Sequence, residues 1–449
     1  MLRRTLLAIA ACLLAFPCAA QTPALNLLLA GPRSLRIPLT ASVPAGTAYT
    51  RGGTATATYL ANGVVTAASG ANVPRFESDL NGGLLGYLSE PQAIELNPYT
   101  VPQSDTTHGW NYATGNTAGT VNTADTTAPD GTSMALKLAD NSTSGGHSAS
   151  VGTFAYTSGT TYDIIAYVRI NTTTPSATVA QLAAPSTQFG ANAWADFNVQ
   201  TCAATGTTGS AATAFAKLLA NSWCQIAISA PATATSSGSP LVVLTNNVTT
   251  ATRLPTYSGS GQYLYLWGVG SRAEYVPTSY IATNGSSLTR SPDNLSVALT
   301  TYPWLQANPQ GYTVAVDFTV PANVQAAGTV VPFALIGSGG AAVNGSYWGL
   351  HTNGLTYLTT NVASNGVLSS GLTLAVAPAS NVAVFTALPL GLRYSLNHAT
   401  PGSITQTGKP VMTTLQIGGL ASASYANMHA TAVTLRAGPA SAGQLQAMP

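Results

Sequence analysis

The stretch TYDIIAYVRI (161–170) decides the fold class, because its side chains alternate in character with a period of two. Successive side chains of a β-strand point to opposite faces of a sheet, whereas a helix repeats every 3.6 residues. One face of the predicted strand carries Tyr162, Ile164, Ala166, Val168 and Ile170. The other face carries Asp163, Ile165, Tyr167 and Arg169. We therefore predict a strand with a buried face and an outer face, with Asp163 at the surface.

Stretches with the same alternation recur along the chain, separated by clusters of Gly, Asn, Ser and Pro. They are SWCQIAIS (222–229), QYLYLWGVG (262–270), GYTVAVDFTV (311–320), SYWGLHTNGLTYLTTN (346–361), LTLAVAP (372–378), VAVFTALP (382–389) and HATAVTLRAG (429–438). A helix is predicted only near the end, where Ser441 could cap AGQLQAM. The pattern predicts an all-β protein with two antiparallel β-sandwich domains of the jelly-roll type.

Charged residues are scarce: they make up 6% of the 449 residues, against roughly 25% in an ordinary soluble domain. Lys137, Lys217 and Lys409 are the only lysines. Binding to phosphates needs a concentrated Lys/Arg face, so nucleic acid is excluded as a main partner. The near-zero net charge weakens repulsion between copies, which favours a homo-oligomer or a subunit of a larger assembly.

Residues 1–20 have the pattern of a cleavable signal peptide. Arg3 and Arg4 form the basic start, an apolar stretch follows from Leu6 to Phe16, and Cys18-Ala19-Ala20 supplies small residues before Gln21. The apolar stretch is about half of the roughly 20 residues that span a bilayer. We therefore expect a secreted, periplasmic or cell-surface protein, and a virion is a further possibility.

Composition shifts divide the rest of the chain into four predicted parts. They are an N-terminal attachment segment (21–98), a carbohydrate-binding-like jelly roll (99–282), a linker (283–294) and a concanavalin A-like sandwich (295–449). The attachment segment holds Glu77, Glu90 and Glu95, three of the four glutamates.

Removal of the signal peptide would leave Cys202 and Cys224 as the only cysteines. In an oxidising compartment such a pair tends to form a disulfide. Two buried free thiols are the alternative interpretation.

Several blocks of sequence resemble bacteriophage and prophage fibre or head-tail surface proteins. The first is Ala71-Asn72-Val73-Pro74-Arg75-Phe76, followed by Leu85-Gly86 and Glu90-Pro91. The likeness continues in APDGTSMALKLAD (128–140), NSWCQIAIS (221–229) and YLYLWGVGSRAEYVPTSYIATNGSSLTRSPD (263–293). From residue 311 the tail resembles a concanavalin A-like, or laminin G-like, sandwich. The resemblance implies a surface protein whose jelly roll recognises carbohydrate.

Glycoside hydrolysis, a reaction of some concanavalin A-like proteins, normally needs two carboxyl groups about 5 to 9.5 Å apart. From residue 294 onward Asp317 is the only acidic residue, so the second sandwich lacks that pair. The five histidines show no metal-ligand spacing, and no zinc site is predicted. A calcium site in 99–282 is possible, because its loops offer carboxylates and carbonyl oxygens.

Sugars bind to aromatic rings through their C–H faces and to polar side chains through their hydroxyls. Trp110 and Tyr112 lie in the loop-like HGWNYATGN, and Trp194 lies in ANAWADF. In the second sandwich Trp348, His351 and Asn353 are weaker candidates. Trp223 and Trp267 lie in strand-like stretches and are predicted to be core residues.

The sequence therefore favours a non-catalytic surface or virion-associated protein of the phage-fibre type that binds glycans, a cell-surface polysaccharide or a host surface. A purely structural fibre or decoration subunit is the first alternative, with other virion or surface subunits as partners. A polysaccharide-degrading enzyme is the second.

Overall fold

A computed structural model describes most of residues 33–447. The described part excludes 43–46, 52–56, 68–69, 71, 105, 114, 122–124, 172–175, 250–251, 275–276, 321–328, 338–344, 353–355, 365–366, 376–379, 398–399, 406–410, 421–423 and 426. The predicted signal peptide lies outside the described residues.

Strands dominate the described residues, which confirms the predicted all-β class. Up to residue 98 they are β1 Ser34–Pro38, β2 Thr47–Thr50, β3 Thr58–Ala61, β4 Val64–Ala67, β5 Phe76–Ser78, β6 Leu84–Ser89 and β7 Ala93–Glu95. Between 99 and 282 they are β8 Trp110–Asn111, β9 Thr117–Val121, β10 Leu136–Asp140, β11 Ser144–Val151, β12 Phe154–Tyr156, β13 Thr161–Ile170, β14 Val179–Ala183, β15 Trp194–Asn198, β16 Ala203–Thr208, β17 Thr213–Leu218, β18 Cys224–Pro231, β19 Ser236–Gly238, β20 Leu241–Leu244, β21 Thr256–Ser258 and β22 Tyr263–Arg272. After 282 they are β23 Leu288–Arg290, β24 Asn294–Ala298, β25 Tyr312–Thr319, β26 Thr329–Gly337, β27 Gly345–Thr352, β28 Thr356–Ser364, β29 Val367–Ala375, β30 Ser380–Leu388, β31 Gly391–Leu396, β32 Gly402–Thr405, β33 Met412–Ile417, β34 Gly419–Leu420, β35 Ser424–Tyr425 and β36 Met428–Ala437.

Helical structure in the described residues is limited to short turns. The α-helices are α1 Ser186–Phe189, α2 Pro303–Ala307 and α3 Ala442–Ala447, and the 3-10 turns are Thr106–His108, Ala220–Ser222 and Leu299–Thr301. In α3 the Gln444 N–H donates to Ser441 Oγ at 3.2 Å, and the Ser441 N–H donates to Gln444 Oε1 at 3.0 Å. This reciprocal capping box confirms the predicted cap. No helix in the described part of the chain has the length and apolarity to cross a bilayer.

The first sandwich consists of two antiparallel sheets that face each other. One sheet has the strand order β17-β18-β13-β22-β10-β9, and β7 and β23 join it beside β22. The other sheet has the order β16-β15-β14-β20-β11-β21, with β8 beside β11. Ile164, Ala166 and Val168 of β13 are buried between the sheets together with residues of β14, β15 and β20. This confirms the buried face of β13 predicted from its alternation.

The second sandwich follows the same plan. One sheet has the order β32-β31-β30-β25-β36-β6-β5, with β1 also paired to β36, and the other has the order β2-β24-β33-β26-β27-β28-β29. Val314, Val316 and Phe318 of β25 lie in the core between them. These are inward-facing positions predicted from the alternation in 311–320.

Strand pairing crosses the predicted domain boundaries. The attachment segment supplies β1, β2, β5 and β6 to the second sandwich and β7 to the first. The predicted linker contains β23, which pairs with β7. The attachment role of 21–98 stays a prediction, but these residues form part of the sheets of both sandwiches.

The structure joins Cys202 to Cys224 in a disulfide, so the alternative of two free thiols is not observed. Cys202 follows β15 in one sheet of the first sandwich, and Cys224 begins β18 in the other. The bond therefore connects the two sheets across their shared core.

Replacing both cysteines, Cys202→Ala with Cys224→Ala, should lower the free energy of unfolding by about 3 kcal/mol, because the bond closes a loop of 22 residues. Urea denaturation of the native and variant proteins measures this difference. A reducing agent should reproduce the loss in the native protein and leave the variant unchanged. A difference below about 1 kcal/mol would contradict the stabilising role.

Candidate functional site

Most of the acidic residues in the described part of the chain lie inside the protein. Among the acidic residues, 13 in the whole chain, the buried ones are Glu77, Glu90, Glu95, Glu274, Asp140, Asp163, Asp196, Asp293 and Asp317. Four arginines are buried with them: Arg51, Arg75, Arg272 and Arg290. Charged side chains are almost never fully buried unless they are paired, so their partners decide what this arrangement does.

Arg75 lies at the centre of this arrangement and is fully buried. Its Nη1 contacts Glu90 Oε2 at 2.7 Å, and its Nη2 contacts Asp293 Oδ2. Nη1 also donates to the Thr58 carbonyl at 2.7 Å. These contacts connect the residue before β5 with the end of β6 and the start of β24.

Further partners complete the cluster around Glu90. Arg290 Nη1 lies 3.0 Å from Glu90 Oε2, and the Ser279 N–H donates to Glu90 Oε1 at 2.6 Å. Burial disfavours the charge of Glu90, but Arg290 and Arg75 outweigh burial and lower its pKa. We call Arg75, Glu90, Arg290, Asp293 and Ser279 the ionic cluster.

A second buried pair lies beside it in the first sandwich. Arg272 Nε donates to Glu95 Oε2 at 2.8 Å, and the Ser271 N–H donates to Glu95 Oε1 at 2.9 Å. A Cβ at Gly270 would overlap the Glu95 carboxylate, so glycine at that position permits the close approach. The pair fixes β7 against β22.

Arg75→Met should lower the free energy of unfolding by roughly 3–5 kcal/mol, because it removes a charged partner from two buried carboxylates, those of Glu90 and Asp293. Arg36→Met is the matched control, since Arg36 pairs with Asp317 while its own side chain is 63% exposed. The control should lose less than about 1 kcal/mol. Chemical denaturation measures the free energy of unfolding of both variants. Equal losses would show that burial does not make the Arg75 ion pairs more stabilising than the exposed Arg36 pair.

Asp163 is fully buried, so its predicted surface position is wrong. Its face of β13 is covered by a second apolar layer that includes Val65 of β4, Ala128 and Tyr280. Burial, followed by repulsion from Glu274, raises the pKa of Asp163 well above its usual range. Burial also raises the pKa of Glu274 to about 7, although Arg272 and Arg290 oppose it.

These shifts predict an unusual dependence of stability on pH. A raised pKa means that the folded protein holds its proton more tightly than the unfolded chain, so the stability due to Glu274 is lost as the pH rises from about 4.5 to about 7. The lowered pKa values of Glu77 and Glu90 act in the opposite direction below about 4.5. The free energy of unfolding should therefore be greatest near pH 4.5.

Glu274→Gln should reduce the fall in stability across that range by on the order of 3 kcal/mol. Asp79→Asn, at an exposed turn, is the control and should retain the fall. Urea denaturation at a series of pH values provides the measurement. If the stability of Glu274→Gln falls with pH as steeply as that of the native protein, a group other than Glu274 binds the proton.

A cleft lies where the outer face of the first sandwich meets strands of the second. Its lining includes Tyr59, Glu77, Glu90, Tyr167, Lys217, Gln225, Asn427, His429, Ser279 and Tyr280. Lys217, Gln225 and Tyr167 lie in register on β17, β18 and β13. His429 comes from β36 of the second sandwich, so this interface cleft draws on both sandwiches and on 57–90.

Glu77 occupies the centre of the polar contacts in the interface cleft. Its Oε1 accepts from the Leu60 N–H at 2.9 Å, and its Oε2 lies 2.8 Å from His429 Nε2 and 3.7 Å from Lys217 Nζ. Burial opposes the charge of Glu77, but Lys217 and the His429 hydrogen bond prevail and lower its pKa to about 2. Gln225 Nε2 donates to the Tyr167 hydroxyl at 3.2 Å.

Glycoside hydrolysis normally uses two carboxyl groups, one of which acts as an acid. Glu77 and Glu90 both line the interface cleft, but both have lowered pKa values, so neither holds a proton at neutral pH. Glu274 and Asp163 have raised pKa values, but both are buried. The two carboxylates of the interface cleft are thus hydrogen-bond acceptors rather than proton donors at neutral pH.

The aromatic residues first predicted to bind sugar lie elsewhere. Trp110 is fully buried, and its indole N–H donates to the Tyr99 carbonyl at 2.8 Å. Tyr112 and Trp194 are also buried. Trp110 lies in β8, which pairs with β11, and Trp194 begins β15. All three rings are buried in the first sandwich, and their role in sugar binding stays a prediction.

The three remaining candidates lie in β27 of the second sandwich or directly after it. Trp348 and His351 lie in β27, which pairs with β26 and β28. Asn353 lies outside the described residues. No group of three or more His, Cys, Asp or Glu residues in the described part of the chain could hold a metal ion, and the calcium site stays a prediction.

The residues of the interface cleft were missed because their contacts span long sequence distances. Glu77 and His429 are separated by 352 positions, and Arg75 and Asp293 by 218. The available signal was the concentration of glutamates in 77–95 of a chain almost without charge. Trp223 and Trp267 are fully buried, as predicted.

No protein-family model matches the chain, and no curated protein matches it significantly. Solved structures with partial likeness include the botulinum neurotoxin serotype C1 binding domain, at 8% identity and a TM-score of 0.27 over 35% of this chain and 40% of that chain. The binding domain of botulinum neurotoxin DC, solved in complex with SialylT, has 8% identity and a TM-score of 0.27 over 35% and 39%. The chain thus spans about two fifths of the length of these structures, and the likeness carries no inference about function.

Proposed function

We propose that this is a non-catalytic surface or virion-associated protein of the phage-fibre type that binds a glycan or cell-surface polysaccharide through its β-sandwich modules. The observation that carries the proposal is the interface cleft. It combines the half-buried ring of Tyr59, the exposed ammonium of Lys217 and the ionised carboxylate of Glu77. Sugars are recognised by aromatic surface that packs on their C–H faces and by polar groups that bind their hydroxyls.

The position of the cleft supports the proposal. Binding sites occur preferentially at interfaces between domains, where side chains from separate elements converge. Glu77 is fixed by three separate partners, so it would be held in position before a ligand arrives. Export through residues 1–20 would place this cleft outside the cytoplasm, where polysaccharide is available.

A structural fibre or decoration subunit remains the second candidate, favoured by the burial of charge. With most described carboxylates inside, the exterior relies on hydroxyl side chains and includes exposed apolar residues: Leu84, Val248, Leu390 and Val411. Such a surface has little charge repulsion to oppose homo-oligomers or contacts with other subunits.

The full chain should bind at least one bacterial polysaccharide on a glycan array, without releasing sugar from it. Tyr59→Ala and Lys217→Met should each weaken that binding by about tenfold or more, because both side chains line the interface cleft. Arg33→Met, at an exposed position, is the charge-matched control and should bind as the native protein does.

Absence of binding to every polysaccharide, combined with stable association with particles or with other copies of the chain, would favour the structural candidate. Release of reducing ends from a bound polysaccharide would support the enzyme alternative and overturn the proposal.

A further inference from the structure

A second polar cleft lies on the outer face of the same sheet of the first sandwich. Its lining consists of Asp125, Thr126, Thr127, Arg169, Asn221 and Ser222. Its volume is about 370 Å³, within the roughly 300–1,000 Å³ typical of sites for small ligands. We call it the Asp125 cleft.

One wall of the Asp125 cleft is held by side chains of the sheet beneath it. The Tyr265 hydroxyl donates to Asp125 Oδ2 at 2.5 Å, and Arg169 Nη1 donates to Thr126 Oγ1. The Trp223 indole N–H donates to the Thr127 carbonyl at 2.7 Å. Three consecutive residues are thus fixed by three separate strands, β22, β13 and the start of β18, which gives the wall a defined shape without a ligand.

The opposite wall has a backbone conformation that L-residues seldom adopt. Asn221 and Ser222 have φ angles of 56° and 58°, in the left-handed region. Hydrogen bonds on either side hold this turn: the Leu219 N–H donates to the Trp223 carbonyl at 2.8 Å, and the Ala220 N–H donates to the Gly63 carbonyl at 3.0 Å. Consecutive residues in this region carry a conformational cost, and such costs cluster at functional sites.

The charges of the lining define the ligand. Asp125 and Arg169 contribute one charge of each sign. The Asp125 carboxylate would repel an anionic ligand, and the Arg169 guanidinium would repel a cationic one. The other groups are hydroxyls and one amide, which both donate and accept hydrogen bonds. Arg169 Nε is buried without a hydrogen-bond partner. A neutral ligand with neighbouring hydroxyls, each both donor and acceptor, matches this set.

We propose that the Asp125 cleft is a second binding site, for a neutral sugar ring, independent of the interface cleft. This inference rests on the proposed glycan-binding function and extends it to a particular ligand class. Two sites on one sheet face would let a single polysaccharide chain engage the protein at two points, which raises overall avidity.

The test uses the full chain with D-glucose, D-galactose and D-mannose as probes in saturation-transfer difference NMR, and with inorganic phosphate as the anionic probe in titration calorimetry. Asn221→Gly removes the amide and retains the left-handed backbone, and Asp125→Asn removes the charge at nearly constant shape. Asn246→Gly is the matched control, because Asn246 also has a left-handed φ of 55° but lies outside this cleft.

At least one sugar should bind, and Asn221→Gly and Asp125→Asn should each weaken that binding about tenfold, while Asn246→Gly leaves it unchanged. Equal binding by Asn221→Gly and the native protein would overturn this inference but leave the proposed function intact. Binding of phosphate in place of sugar would overturn the inference and show that the Asp125 cleft binds anions. Retention of polysaccharide without any response to these sugars would likewise overturn the inference, and loss of all glycan binding would remove both proposals.

Discussion

The contact between Arg75 and the carboxylates of Glu90 and Asp293 is the interaction on which the rest of the structure depends. Asp293 directly precedes β24 of the second sandwich, and Glu90 lies between β6 and β7, which pair with different sandwiches. Arg290 and Ser279 bring the residues that follow β22 to the same place. The ionic cluster, with Arg75 at its centre, thus holds together the points where the chain passes between the two sandwiches.

The scarcity of charge has a physical explanation in this arrangement. Removing ions from water costs several kcal/mol each, so a buried cluster is tolerated only where every charge has close partners. Such pairs add little net stability compared with an apolar core, but they strongly penalise any arrangement that separates them. We infer that the charges of this chain specify how its segments assemble, while Thr and Ser hydroxyls keep the exterior hydrated.

The sequence predicted what depends on local alternation. Ile164 and Val168 of β13 and Val314 and Phe318 of β25 point inward as expected, and the cap at Ser441 forms. It could not predict what depends on coverage by distant segments. Alternation alone predicts an exposed outer face for β13, yet residues near Val65 and Tyr280 bury that face, and Asp163 with it. Trp110 was placed in a loop because β8 has only two residues, too few for a period to appear.

Cooperativity of thermal unfolding tests the role of the ionic cluster most directly. If the cluster unites the sandwiches, differential scanning calorimetry of the native protein at neutral pH should show one transition, with equal calorimetric and van't Hoff enthalpies. Two resolved transitions, each with the enthalpy of one sandwich, would contradict the account, because the sandwiches would then be stable without their shared ion pairs.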